Sequence, residues 1–191
     1  MTRKLGVAGL MLALLGLVGM ARAQSPYRVE YFTNANTSGA PDATLRLDND
    51  GAAAGANLCA DIFVFDSNEE LSECCSCLET PDGLRTLSVD SDLTANPLTG
   101  VILTTGVIKI VAAAPTLDKC PPPSTISLVP DAEIQAWATH IQSTTLAITE
   151  TASQASSLSS HEQKRLAQQC GAIRGVGSGK GICSCGTGTG S

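Results

Sequence analysis

Aromatic residues are scarce in this chain, with one Trp, two Tyr and three Phe among 191 residues. Surfaces that hold sugars or single-stranded nucleic acid are built from exposed aromatic rings. An extended stacking platform is therefore not expected. Trp137 is a candidate for a lone contact, with core packing its expected use. Charge is scarce too. Asp, Glu, Lys and Arg make up 16% of the chain, against ~25% in ordinary soluble domains. The balance is acidic, at −6, which argues against nucleic acid and anionic lipid as partners.

The common catalytic motifs are missing as well. Gly177-Ser178-Gly179 lacks the G-x-S-x-G spacing of a nucleophile elbow. Gly179-Lys180-Gly181 fails as a phosphate loop, because Arg174 stands where the first Gly belongs and Gly181 replaces Ser or Thr. His161-Glu162 opens like H-E-x-x-H but ends on Arg165. Asp48-Asn49-Asp50-Gly51 starts like a calcium loop, yet Arg46 and Asn57 occupy positions that need acids. It reads as a solvated turn. His140 and His161 remain as lone acid–base candidates. No catalytic residue, cofactor or metal is assigned.

What is present speaks first about compartment. Arg3 and Lys4 precede an apolar run over residues 5–20, and Ala21-Arg22-Ala23 follows it. This predicts a secretory signal peptide at 1–23, cleaved after Ala23. The run falls short of the roughly 20 residues that span a bilayer, and no later stretch replaces it. The protein is expected to be secreted or periplasmic, and the short Ala/Leu-rich leader is of bacterial type.

Eight cysteines follow the leader: Cys59, Cys74, Cys75, Cys77, Cys120, Cys170, Cys183 and Cys185. An even count in an exported chain predicts disulfides throughout. Cys-Cys-Ser-Cys and Cys-Ser-Cys suggest a thiolate cluster, but both histidines sit outside any zinc spacing, and an oxidising compartment works against free thiolates.

The densest strand signal lies in residues 58–92. Ile62, Phe63, Val64 and Phe65 are followed by the turn residues Asp66-Ser67-Asn68 and then by residues 70–79, which predicts a hairpin. Alternation puts Cys59, Asp61, Phe63 and Phe65 on one face, and Leu71, Glu73, Cys75 and Cys77 on one face of the second strand. Cys59 is then expected to bond Cys75 or Cys77. Pro81-Asp82-Gly83 predicts a turn into a third strand at 84–90, completing a meander.

Further strands are expected at 27–33, 43–48 and 101–112, the last bent at Gly106. Together these make a sandwich core over residues 24–114. A Pro-rich connector at 115–130 carries Cys120, expected to pin it to the body. Residues 131–185 read as a strand holding Trp137, a hairpin partner at 146–151, and a helix. Ser159 and Glu162 form a capping box, with Leu158, Leu166, Ala167, Cys170 and Ile173 as the apolar stripe and Gly175 as the stop. Cys170 is expected to bond Cys183 or Cys185. Residues 186–191 read as a flexible tail. Asn36-Thr37-Ser38 matches a glycosylation sequon, read as chance in a polar loop.

The expected fold is mainly β: a disulfide-stapled antiparallel β-sandwich with one C-terminal α-helix. The expected role is a secreted, non-catalytic structural or binding protein of the bacterial cell exterior, facing an unknown protein or cell-surface partner. Two rival readings stand beside it. One is a secreted hydrolase using His140. The other is a self-associating subunit that assembles by strand addition, with residues 27–33 leaving their own sheet.

Overall fold

The computed structural model describes residues 27–51, 55–126, 134–142, 144–176 and 183. The expected leader, its cleavage site, Cys185 and the tail at 186–191 lie outside the described residues. Among the described residues nine strands form in chain order: β1 (Tyr27–Thr33), β2 (Thr44–Asn49), β3 (Leu58–Asp66), β4 (Leu71–Glu79), β5 (Leu84–Ser88), β6 (Thr105–Ala113), β7 (Ile134–Ile141), β8 (Ile148–Ala152) and β9 (Gln154–Ser156). A π-helical turn at Val89–Leu93 follows β5, and helix α1 (Ser160–Arg174) follows β9. The strands make two antiparallel sheets, ordered β4-β3-β6-β1-β9 and β5-β2-β7-β8.

Three layers result. The inner faces of the two sheets meet in one apolar core, with Leu58, Ala60, Ile62 and Val64 of β3 opposite Leu45 and Leu47 of β2 and Ile134, Ala136 and Ala138 of β7. A second core lies on the other side of the first sheet. There Tyr27, Phe63, Phe65, Leu71 and Val111 pack beneath Leu166, Cys170 and Ile173 of α1. β3 is thus covered on both faces, which is why its sequence is an almost unbroken apolar run. Gly106 lies where β6 passes under the Phe32 ring and the Phe65 carbonyl. A Cβ there would stand 2.1 Å from that oxygen, so only glycine fits.

α1 begins as its sequence requires. The Ser159 hydroxyl accepts the Glu162 N–H at 3.1 Å. The helix ends at Arg174, but Gly175 is right-handed (φ −57°), so it does not serve as a left-handed stop.

Three expectations are corrected. β5 does not extend a meander. It crosses to the second sheet and pairs with β2, Leu45 opposite Leu87. Cys59 does not face Cys75 or Cys77. The ladder places Cys59 opposite Leu78, Ala60 opposite Cys77, Ile62 opposite Cys75 and Phe63 opposite Cys74, with a shift between Val64 and Phe65. That irregularity leaves Ser72 as the extra residue and changes the parity of β4. Leu71 and Cys74 therefore join the helix-side core, while Cys75 and Cys77 join the core between the sheets. Cys59 instead bonds Cys120, holding the Pro-rich connector.

The third correction concerns the helix. Cys170 bonds Cys74 of β4, not Cys183 or Cys185. It shares a buried stripe with Leu166 and Ile173, so its sulfur points down onto the sheet. Cys183 bonds Cys77, and Cys75 is also disulfide-bonded. Among the described residues no cysteine is free.

One segment belongs to both sheets. β8 pairs with β7 from Ile148 to Ala152. The chain then turns at Ser153, whose N–H donates to the Ala136 carbonyl at 2.8 Å. β9 continues into the first sheet, with Tyr27 opposite Ser156. The sandwich is stitched at this seam, next to His140.

Candidate functional site

His140 lies on β7 opposite Thr149 of β8. Its Nε2 stands 2.7 Å from the Thr151 hydroxyl and 3.5 Å from the Glu30 carboxylate. Its ring stacks on Tyr31 at 4.1 Å between centroids. His140 and Glu30 are both buried, at 2% and 6% exposure. Burial pushes the Glu30 carboxyl up, against the opposing pull of the Ser153 hydroxyl, His140 and the Tyr31 N–H. Tyr31 is half exposed. With Glu30, Thr151 and Gln154 it lines a cavity of about 410 Å³ at the seam.

The chemistry of this cluster is limited by which nitrogen is used. An acyl-transfer relay needs the hydroxyl on one imidazole nitrogen and the carboxylate on the other. Here both approach Nε2, and Nδ1 has no hydrogen-bond partner among the described residues. The arrangement joins β1, β7 and β8. It does not line up a proton path from hydroxyl to carboxylate. Glu30 carried no sequence signal: on a strand of alternating Tyr, Val and Tyr, an intervening glutamate reads as a solvent-side residue.

Trp137 lies three residues earlier on β7, and it overturns the core expectation. It is partly buried and belongs to neither apolar core. The alternation that sends Ile134, Ala136 and Ala138 inward sends Gln135 and Trp137 outward. On this outer face Trp137 sits between Arg46 of β2 and Ala152 of β8. Arg46 reaches across β7 to Glu150 at 2.5 Å. Thr86 of β5 extends the Arg46 row, and Leu84, 67% exposed, lies opposite Asp48. The face is a shallow sheet surface of one indole, paired charges, amide and hydroxyl groups.

Other sequence candidates resolve into structural roles. His161 is exposed in the first turn of α1. The Asn36 amide donates to the Thr94 hydroxyl and the Leu103 carbonyl, both at 2.9 Å, and so braces a loop. Asn49 is buried rather than solvated. Its amide donates to the Ala56 and Glu79 carbonyls, and its oxygen accepts the Gly51 N–H. Among the described residues no three His, Cys, Asp or Glu side chains gather at metal-binding distance.

The chain matches no protein-family model and no curated protein sequence. Among solved structures it is similar to the crystal structure of Thermotoga maritima 1070, at 11% identity and a TM-score of 0.42. The match covers 71% of this chain and 98% of that one. So distant a likeness assigns no function. The class is defined by the chain's own construction, a disulfide-stapled β-sandwich with one C-terminal helix. Such crosslinks fit an extracellular or periplasmic protein. No described helix is long and apolar enough to cross a membrane.

Proposed function

We propose that the protein is a secreted, non-catalytic binding protein of the bacterial cell exterior, and that it holds a neutral cell-surface glycan on the outer face of the second sheet. One observation carries the reading. That face is not covered by any described element, and it holds the only tryptophan of the chain. An indole ring takes the C–H face of a sugar, and neighbouring amide, hydroxyl and carboxylate groups bond its hydroxyls. Arg46 and Glu150 neutralise each other, and the chain is acidic overall. Both features favour an uncharged polymer over nucleic acid or anionic lipid.

The test is co-sedimentation of the mature protein with purified bacterial cell-wall polysaccharide, followed by quenching of the single tryptophan's fluorescence. Trp137→Ala should lose binding at least about tenfold while keeping the wild-type melting temperature within a few degrees. Wild-type protein that stays in the supernatant, or a variant that binds equally well, refutes the reading.

The rival hydrolase reading rests on a Glu30–His140 acid–base pair beside the seam cavity, and not on a hydroxyl relay. A hydrolytic activity against cell-wall material that disappears in His140→Ala, with the fold intact, would establish it instead.

A further inference from the structure

Each sheet has two edges, and three of the four are protected. β4 is buried along its length. Its outer backbone is engaged by Leu98 N–H on the Ser72 carbonyl and by Arg85 on the Leu78 carbonyl. β9 has only three residues. β5 carries Arg85, ion-paired with Glu79, on the side that Leu87 turns into the core, and Asp92 ties down its last N–H. Short strands, inward charges and covering loops are the usual ways in which proteins block edge-to-edge pairing.

β8 has none of these. All five of its residues are exposed, and no described strand lies beyond it. It pairs with β7 in an unbroken register from Trp137–Ala152 to Ile141–Ile148. Its sequence, Ile-Thr-Glu-Thr-Ala, holds no proline and no lysine. The one charge, Glu150, is already bound by Arg46.

We infer that β8 is the contact by which a second copy of this chain adds to the sheet, pairing antiparallel about a two-fold axis at Thr149 and joining the two four-stranded sheets into one of eight strands. The side chains choose the axis, because directly paired residues share a face. An axis at Glu150 would set two carboxylates against each other, which is destabilising. An axis at Thr151 would load the hydroxyl that His140 uses. An axis at Thr149 places threonine on threonine, a favourable cross-strand pair, and sets Glu150 against Ile148, which is 56% exposed. Among the described residues the Thr149 hydroxyl is otherwise held only by a 3.5 Å contact from Gln142. A contact of one short strand per copy is small, and the dimer should be weak, on the order of 10 μM.

The test is light scattering on the oxidised mature protein as a function of concentration. Wild type should pass from monomer to dimer within the micromolar range. Thr149→Lys sets two lysines across the axis and should remain monomeric, with unchanged circular dichroism and melting. Thr149→Glu should behave likewise, and an equimolar mixture of the two variants should dimerise again. A wild type that stays monomeric at 100 times that concentration, or a Thr149→Lys protein that dimerises as well as wild type, overturns the contact. A mixture that fails to recover the dimer overturns the axis.

Discussion

The outer face of the first sheet and that of the second are built from strands of similar length, yet they end in opposite states. On the first, α1 lays Leu166, Cys170 and Ile173 onto Phe63, Phe65 and Val111, and Cys74–Cys170 bolts the helix to β4. Lys109 and Arg165 converge on Glu162 at 2.6 and 2.8 Å, and both cations lie over the Phe65 ring, at 4.8 and 5.4 Å. On the second, Trp137, Arg46, Asp48 and Glu150 face outward with no described layer above them. The difference lies in covalent placement more than in strand propensity. Covering a sheet with one 15-residue helix requires a link, because a helix of that length is marginal alone in water. The disulfides supply it on one side only.

The sharpest way to break this asymmetry is to cut that link. Replacing both Cys74 and Cys170 by Ala should destabilise the protein by about 2–5 kcal/mol, because the bond closes a loop of 96 residues. Urea titration followed by circular dichroism should show helical signal lost before sheet signal. Coincident transitions at the wild-type midpoint would mean that packing alone holds α1.

The next effect is on pH dependence, and it also belongs to the first sheet. Glu73 is fully buried, accepts only the Asn96 N–H among the described residues at 2.8 Å, and is pushed up to about 8 by burial. Asp61, bonded by the Ser76 hydroxyl at 2.6 Å, is pushed up to about 7 by burial. A carboxyl whose folded value is raised contributes stability while it stays protonated, below its ordinary value near 4. That contribution is lost as pH rises through 7 and 8. Glu162 behaves oppositely. Hydrogen bonds from Arg165 lead in holding it down to about 2, so its contribution holds above its ordinary value and fades as pH falls towards 2. Melting should therefore peak near pH 4–5 and fall by pH 8, by about 2–4 kcal/mol in stability. Glu73→Gln should flatten the alkaline limb. A variant with the same limb as wild type would place the titration elsewhere.

Smaller effects sharpen the contrast. Ser159→Ala removes the cap on Glu162 N–H and should cost about 1 kcal/mol, seen as a lower urea midpoint with unchanged slope. Glu150→Ala removes a half-exposed ion pair from the bare face and should cost about 0.5 kcal/mol or less. A loss above about 1.5 kcal/mol would show that the second sheet's outer face is a stabilising layer and not an open surface.

Local order was legible in the chain from the outset. Ile62 to Phe65 declare a strand, Ser159 and Glu162 declare a helix start, and an even count of eight cysteines declares a disulfide framework. These are properties of neighbours in sequence, fixed by alternation, capping and composition. Partnership across the fold was not legible. Cys59 was expected to meet Cys75 or Cys77 because strict alternation was assumed through the hairpin. One extra residue at Ser72 reversed the parity of β4, and the sulfurs went to Cys120, Cys170 and Cys183 instead. Trp137 was expected inside because it is large and alone. Its neighbours on β7 had already claimed the inward positions, and helix α1 covers the other sheet. Glu30 met His140 only because β8 turns at Ser153 into the first sheet and brings β1 beside β7. Short-range periodicity sets which elements form. Parity, sheet crossing and the choice of which face the helix covers depend on contacts many tens of residues apart, and only the packed chain decides them.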